Sequence, residues 1–175
     1  MKNIKIIIAI LLCGFSALGQ ERGKVVPLKE IVTFSLPSGS TELTLEKAKS
    51  IKKPGKKSEI NIDQTTGSLF KVNESLLMLT GGIGNMSATF LEEHKRGFDD
   101  LMKKRANYNS AIKKFNNYQV FIVTYDGADF SYVRFTAVNN NRDSALGGVV
   151  EHPKTDKDKV GKIVDDFLKG LKFKK

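Results

Sequence analysis

The chain has 175 residues, with 29 Lys and Arg against 19 Asp and Glu, a formal charge of +10, and one cysteine. A lone cysteine excludes an internal disulfide and a thiolate metal cluster, and the length suits one ordinary hydrophobic core. The sign of the charge favours anionic partners.

The N-terminus carries Lys2 and Lys5, an apolar run over residues 6–12, and small residues at Ala17 and Gly19 just before Gln20. That order predicts a secretory signal peptide over residues 1–19. The apolar run falls short of the roughly 20 residues that span a bilayer. Cys13 follows Ile10-Leu11-Leu12, whereas a lipidation site wants a small residue before its cysteine. Cleavage before Gln20 removes the cysteine and, with Lys2 and Lys5 gone, leaves a formal charge of +8. The expectation is an exported protein, periplasmic or extracellular, with no transmembrane segment in its mature chain. Its anionic partners there are lipid head groups, acidic glycans or acidic proteins rather than nucleic acid.

Residues 20–29 lack periodicity and read as a flexible leader to a single domain over residues 30–175. Residues 30–36 alternate as a strand and stop at Pro37-Ser38-Gly39. Thr44 caps a helix to about Lys53, with Leu45, Ala48 and Ile51 on one face and Pro54-Gly55 ending it. Residues 56–67 are polar apart from Ile60 and Ile62, as in a loop or weak edge strand. Strands over residues 69–72 and 76–80 flank an Asn73-Glu74 turn, and Gly81-Gly82-Ile83-Gly84 breaks the pattern. Thr89 with Glu92 forms a capping box ahead of a helix striped by Leu91, His94, Phe98, Leu101 and Met102.

A strand over residues 110–115 turns at Asn116-Asn117 into residues 118–125. There Tyr118, Val120 and Ile122 oppose Phe121, Val123 and Tyr125, so both faces are apolar and both should be covered. Asp126-Gly127 predicts a tight hairpin into residues 130–138. Asn139-Asn140-Asn141 leads to a strand over residues 144–151 that Pro153 stops. Thr155 with Asp158 forms a second capping box, opening a helix striped by Val160, Ile163, Val164, Phe167, Leu168 and Leu171. The fold class expected is α+β, a mostly antiparallel β-sheet flanked by helices.

Three runs carry a resemblance: Phe34-Ser35-Leu36-Pro37, Phe130-Ser131-Tyr132-Val133-Arg134-Phe135, and Asp166-Phe167-Leu168-Lys169-Gly170-Leu171-Lys172-Phe173. With this layout, the chain resembles the PsbP-like fold superfamily and, within it, secreted uncharacterised proteins of Bacteroidetes. The superfamily holds photosystem subunits, a yeast Ran-release factor, periplasmic lipoproteins and chaperones of secretion effectors. The resemblance implies a binding or scaffolding module and brings no catalytic residues with it.

Gly82-Ile83-Gly84-Asn85-Met86-Ser87 approaches a dinucleotide fingerprint, but Ser87 stands where the third glycine belongs and no acid-ended strand follows the helix. A backbone connection is the expectation, and no cofactor is implied. Lys47, Lys49, Lys52, Lys53, Lys56 and Lys57 crowd the first helix and its exit, where they either attract an anionic partner or form the wet side of an amphipathic helix. Phe121, Tyr125, Phe130, Tyr132 and Phe135 surround the hairpin turn as core or, were one layer incomplete, as an apolar groove. His94 and His152 have no partner at metal-ligand spacing, and Asp99-Asp100 and Asp165-Asp166 diverge around their helices. No Gly-x-Ser-x-Gly elbow occurs.

The reading is a non-enzymatic secreted or periplasmic adaptor that binds an envelope protein or an anionic lipid or glycan. A small-molecule or lipid carrier with an apolar cavity between sheet and helix is one alternative, and a hydrolase assembled only in three dimensions is another. The sequence specifies no oligomeric state.

Overall fold

The structure, a computed structural model, describes residues 24–51, 55–115 and 117–174. The expected signal peptide, Lys52, Lys53 and Asn116 lie outside the described residues. In order, the described chain forms β1 (Lys24–Val26), α1 (Leu28–Ile31), β2 (Val32–Thr33), β3 (Thr41–Leu43), α2 (Leu45–Ile51), β4 (Ser68–Val72) and β5 (Ser75–Ile83). Then come α3 (Phe90–Met102), β6 (Asn109–Lys114), β7 (Tyr118–Asp126), β8 (Ser131–Asn139), β9 (Ser144–His152), α4 (Lys157–Gly170) and β10 (Lys172–Phe173). The main sheet runs β3-β4-β5-β9-β8-β7-β6, with β1 beside the far half of β5, and β2 pairs separately with β10. All pairings are antiparallel, giving the expected α+β architecture.

Alternation along β7 sorts its side chains between two cores, one on each side of the sheet. Tyr118 and Val120 join Val133, Phe135, Leu146 and Val150 under α4, which buries Val160, Val164, Phe167 and Leu168. Phe121, Val123 and Tyr125 join Tyr132 and Val149 under α3, which buries Leu91, Phe98 and Met102. Each fully buried aliphatic or aromatic side chain contributes about 1.5–3 kcal/mol, so the 160/164/167/168 spacing alone explains why α4 stays docked. The Tyr118 hydroxyl, donating to the Leu168 carbonyl, ties the end of α4 to the sheet.

Between α2 and β4, residues 57–63 form a strap across the α3 side. Ile60 and Ile62, each 2% exposed, fix it there. The chain ends as a clasp: Lys172 and Phe173 pair with Thr33 and Val32, and the Lys174 amide donates to the Ile31 carbonyl at 2.8 Å.

Several local expectations are corrected. The leader is ordered from Lys24, because β4 covers only the first half of β5 and β1 pairs with Gly81–Ile83 beyond it. The strand over residues 30–36 shrinks to Val32–Thr33, since Pro27 opens a helical turn that brings Ile31 into the core. Gly81, Gly82 and Ile83 continue β5, bonded to β1 on one side and β9 on the other. The tight turn does not sit at Asp126-Gly127: Asp126 still pairs with Ser131, the Gly127 amide donates to the Phe130 carbonyl at 2.8 Å, and Ala128-Asp129 is the tip.

Neither capping box forms. Thr89 donates to Glu93 rather than engaging Glu92, and α4 is entered through a 3-10 turn at Lys154–Asp156 that displaces Thr155 from the cap. Thr44 does cap α2, accepting from the Lys47 amide at 3.3 Å. On the helix stripes, Leu101 is 54% exposed and Leu45 49%, so Met102 rather than Leu101 closes the α3 stripe and α2 buries only Ala48.

Candidate binding site

The β7–β8 hairpin places Tyr125 and Tyr132 as cross-strand partners on the α3 side, their rings stacked with centroids 5.3 Å apart. Gly127 makes room for this pair. A Cβ there would stand 2.6 Å from the Tyr132 ring, so the glycine serves close approach and not a left-handed turn. Two residues beyond Tyr132 on the same face is Arg134, 5% exposed, its Cζ 5.8 Å and 6.0 Å from the two ring centroids. A guanidinium with so little water has to be held by hydrogen bonds, and the strap supplies them.

The Arg134 Nε donates to the Tyr125 hydroxyl at 2.6 Å, and that hydroxyl donates to Glu59 Oε2 at 2.6 Å. Arg134 Nη2 lies 3.4 Å from Glu59 Oε2 and Arg105 Nη2 3.5 Å from Oε1. The Glu59 amide donates to the Tyr132 hydroxyl at 3.0 Å, which donates in turn to Glu151 Oε2 at 2.9 Å. Ser58 Oγ donates to the same oxygen at 2.6 Å. Burial pushes both phenols well above their ordinary range, aided at Tyr132 by the Glu151 charge and at Tyr125 by Glu59 against the opposing effect of Arg134. Both stay protonated donors at any working pH. The network locks the strap to β7, β8 and β9.

Ser58 and Glu151 also line the inner wall of a cleft of about 80 Å³ between α2, the strap and the β4–β5 turn. Its apolar walls are Ile51, Ile62, Leu76 and Phe130, and Lys56 and Lys71 stand on it as well. This cleft is where part of the expected lysine cluster meets a concave surface. Lys47 and Lys57 are exposed. Lys49 instead pairs with Asp63 at 2.6 Å, a hydrogen bond and charge that raise its pKa, and Lys56 lies 3.8 Å from Asp129. The Lys57 amide also donates to Asp129, at 2.8 Å.

The expected aromatic set does not form one groove. Phe121, Tyr125 and Tyr132 lie in the α3-side core, with Phe130 half-buried at its edge, while Phe135 faces α4, its ring against Gly148, where a Cβ would stand 2.0 Å away. The apolar space between sheet and α4 is about 20 Å³, room for roughly one water, which leaves no place for an acyl chain.

His94 sits among Phe90, Phe98 and Phe121, and burial lowers its pKa to about 4. Its Nε2 lies 3.3 Å from Thr136 Oγ1. His152, at the end of β9, has its pKa lowered chiefly by burial, and its Nδ1 contacts the Pro153 carbonyl at 2.8 Å. Neither ring hydrogen-bonds a carboxylate among the described residues. Gly82–Ser87 leads from an antiparallel strand, so it lacks the parallel crossover of a dinucleotide site.

Sequence reading missed Ser58, Glu59, Arg105, Arg134 and Glu151. Arg134 and Glu151 did carry a signal: each is a charged residue within an otherwise apolar strand, which burial converts into a demand for a partner.

No protein-family model matches the chain, and no curated protein matches it. No helix among the described residues is long and apolar enough to cross a membrane. Among solved structures, the chain is similar to cyanobacterial PsbP from Synechocystis sp. PCC 6803, at TM-score 0.48 and 11% identity over 93% of this chain and 97% of that one. It is also similar to LpqN, involved in cell envelope biogenesis of Mycobacterium tuberculosis, at TM-score 0.49 and 6% identity over 89% of this chain and 87% of that one. These likenesses bear on neither ligand nor reaction.

Proposed function

We propose that this protein is a non-enzymatic, exported binding module that recognises an anionic partner in the cell envelope at the α2 end of its sheet. The observation that carries the reading is the unpaired positive charge around the cleft. Lys47, Lys57 and Lys71 form no ion pair with a carboxylate among the described residues; Lys71 lines the cleft, and Lys47 and Lys57 are exposed and each next in sequence to a lining residue. Both sheet faces are covered by α3 and α4, so the sheet itself offers a partner little beyond its edges. The signal-peptide pattern over residues 1–19 supports the envelope setting. Neither histidine ring hydrogen-bonds a carboxylate among the described residues, which favours binding over hydrolysis.

The test is binding of the mature chain to poly-glutamate and to vesicles rich in anionic lipid, at low and at physiological salt. Binding that weakens with salt and falls in a Lys47→Glu, Lys57→Glu, Lys71→Glu variant supports the proposal. Equal binding by that variant places recognition elsewhere and overturns it.

A further inference from the structure

We infer that Tyr125, Arg134 and Arg105 form a carboxylate-binding cradle that Glu59 occupies from within, and that a ligand's carboxylate takes its place when the Glu59 side chain turns out to solvent. The inference rests on the anionic-partner reading and names the group that a partner would seat. None of the three donors sits on the strap. Tyr125 and Arg134 project from neighbouring strands, with the Arg134 Nε donating to the Tyr125 hydroxyl at 2.6 Å and the guanidinium beside the stacked rings of Tyr125 and Tyr132. Arg105 follows α3. Only the acceptor belongs to the strap, so the donors are arranged for a carboxylate whether or not Glu59 is the one that fills the place.

Glu59 fits as a displaceable occupant. Its Oε2 accepts from the Tyr125 hydroxyl at 2.6 Å, yet its oxygens stand 3.4 Å from Arg134 and 3.5 Å from Arg105, beyond the roughly 2.7–2.9 Å of a charge-assisted bond. A carboxylate free of the strap's backbone closes those gaps. The cradle is open on one side, where the Arg105 and Glu59 side chains are 35% and 21% exposed against 6% for Arg134. With Glu59 withdrawn, the one other carboxylate of this network is Glu151, engaged by Tyr132 and Ser58, so two guanidiniums outweigh it. Ile60 and Ile62, both buried, keep the strap docked while Glu59 turns out.

Acetate carries the heavy atoms that Glu59→Ala removes, so it probes the emptied cradle. At pH 7 and constant ionic strength, acetate in place of chloride, at about ten times its dissociation constant, should raise the melting temperature of Glu59→Ala by about 3–6 °C and then saturate. The parent chain, Glu59→Gln and Glu59→Ala with Arg134→Met should show no such rise. Fluorescence anisotropy with a labelled, end-blocked Gly-Asp-Asp-Asp-Gly peptide reads the source of the carboxylate. Glu59→Ala and the volume-keeping Glu59→Gln should each bind it about fivefold or more tightly than the parent, a gain that Arg134→Met cancels and the charge control Glu42→Gln does not reproduce. An acetate response without that gain supports the cradle and assigns it to small free carboxylates. No acetate response and no gain in peptide affinity overturns the inference and leaves the lysine reading, tested by its own charge reversals, standing. A gain that Glu42→Gln matches, with no acetate response, also overturns it, because net charge alone then explains the binding.

Discussion

Arg134→Met removes the buried charge while keeping most of the side-chain volume, and the structure sets the size of the effect. The guanidinium is 5% exposed and makes its bonds to Tyr125 and Glu59 between strap and sheet. Stranding one partner of a buried pair costs about 3–5 kcal/mol. Glu59 retains Tyr125 and the partly exposed Arg105, so the lower end, about 3 kcal/mol, is expected. Urea unfolding measures it, with a melting temperature lower by roughly 6–12 °C for a domain of this size. Adding Glu59→Gln removes the stranded carboxylate, so the double variant should be more stable than the sum of the single losses by about 1–2 kcal/mol. Hydrogen exchange at the amides of Glu59 and Ile60 should speed up in parallel. A loss below about 1 kcal/mol, or single losses that add to within about 0.5 kcal/mol, would refute the strap lock.

Gly148→Ala drives a Cβ into the Phe135 ring, which packs 5.7 Å from Phe167 on α4 and has little room to move. A loss of about 2–3 kcal/mol is expected by thermal unfolding, with Phe135→Leu recovering part of it in the double variant, whereas additive losses contradict the contact. His94 is held neutral by burial, its pKa lowered to about 4, so the unfolded chain takes up a proton near pH 6.5 while the native one resists until about 4. Stability is therefore intact above pH 6.5 and falls by up to about 3 kcal/mol as pH drops to 4. His94→Gln should flatten that slope, and an unchanged slope refutes the assignment. Burial alone raises the Asp99 carboxyl, yet the donors Lys95, Ser110 and Tyr108 outweigh it and bring its pKa to about 2. Its contribution is present above the ordinary carboxylate range and lost as pH falls toward 2, so Asp99→Asn should destabilise at pH 7 and converge with the parent chain near pH 2.

The sheet and its two helical covers were legible because they rest on periodicity. The alternation of Tyr118, Val120 and Phe121, Val123 assigns both cores, and the Val160 to Leu168 stripe fixes α4. What stayed hidden depends on contacts far apart in sequence. Gly127 reads as a turn residue, but its purpose is a close approach to Tyr132, and the turn moves to Ala128-Asp129. Thr89 and Thr155 match capping boxes locally, yet Glu93 and a 3-10 turn win once the helices are docked. Glu59, in a polar loop between apolar anchors, gives no local hint of reaching Tyr125, 66 residues on. The lysine cluster was visible, but its division into Lys49 and Lys56, paired with Asp63 and Asp129, and Lys47 and Lys57, whose side chains meet no carboxylate among the described residues, required the strap to be in place.

Amide chemical-shift mapping of residues 20–175 during titration with an acidic partner tests the central claim most directly. The account predicts shifts concentrated in residues 45–51, 55–62 and 71–76, reversed by salt, with α4 and β6 unmoved. Shifts centred on β6 or on the outer face of α4, or none at saturating acidic probe, would contradict it.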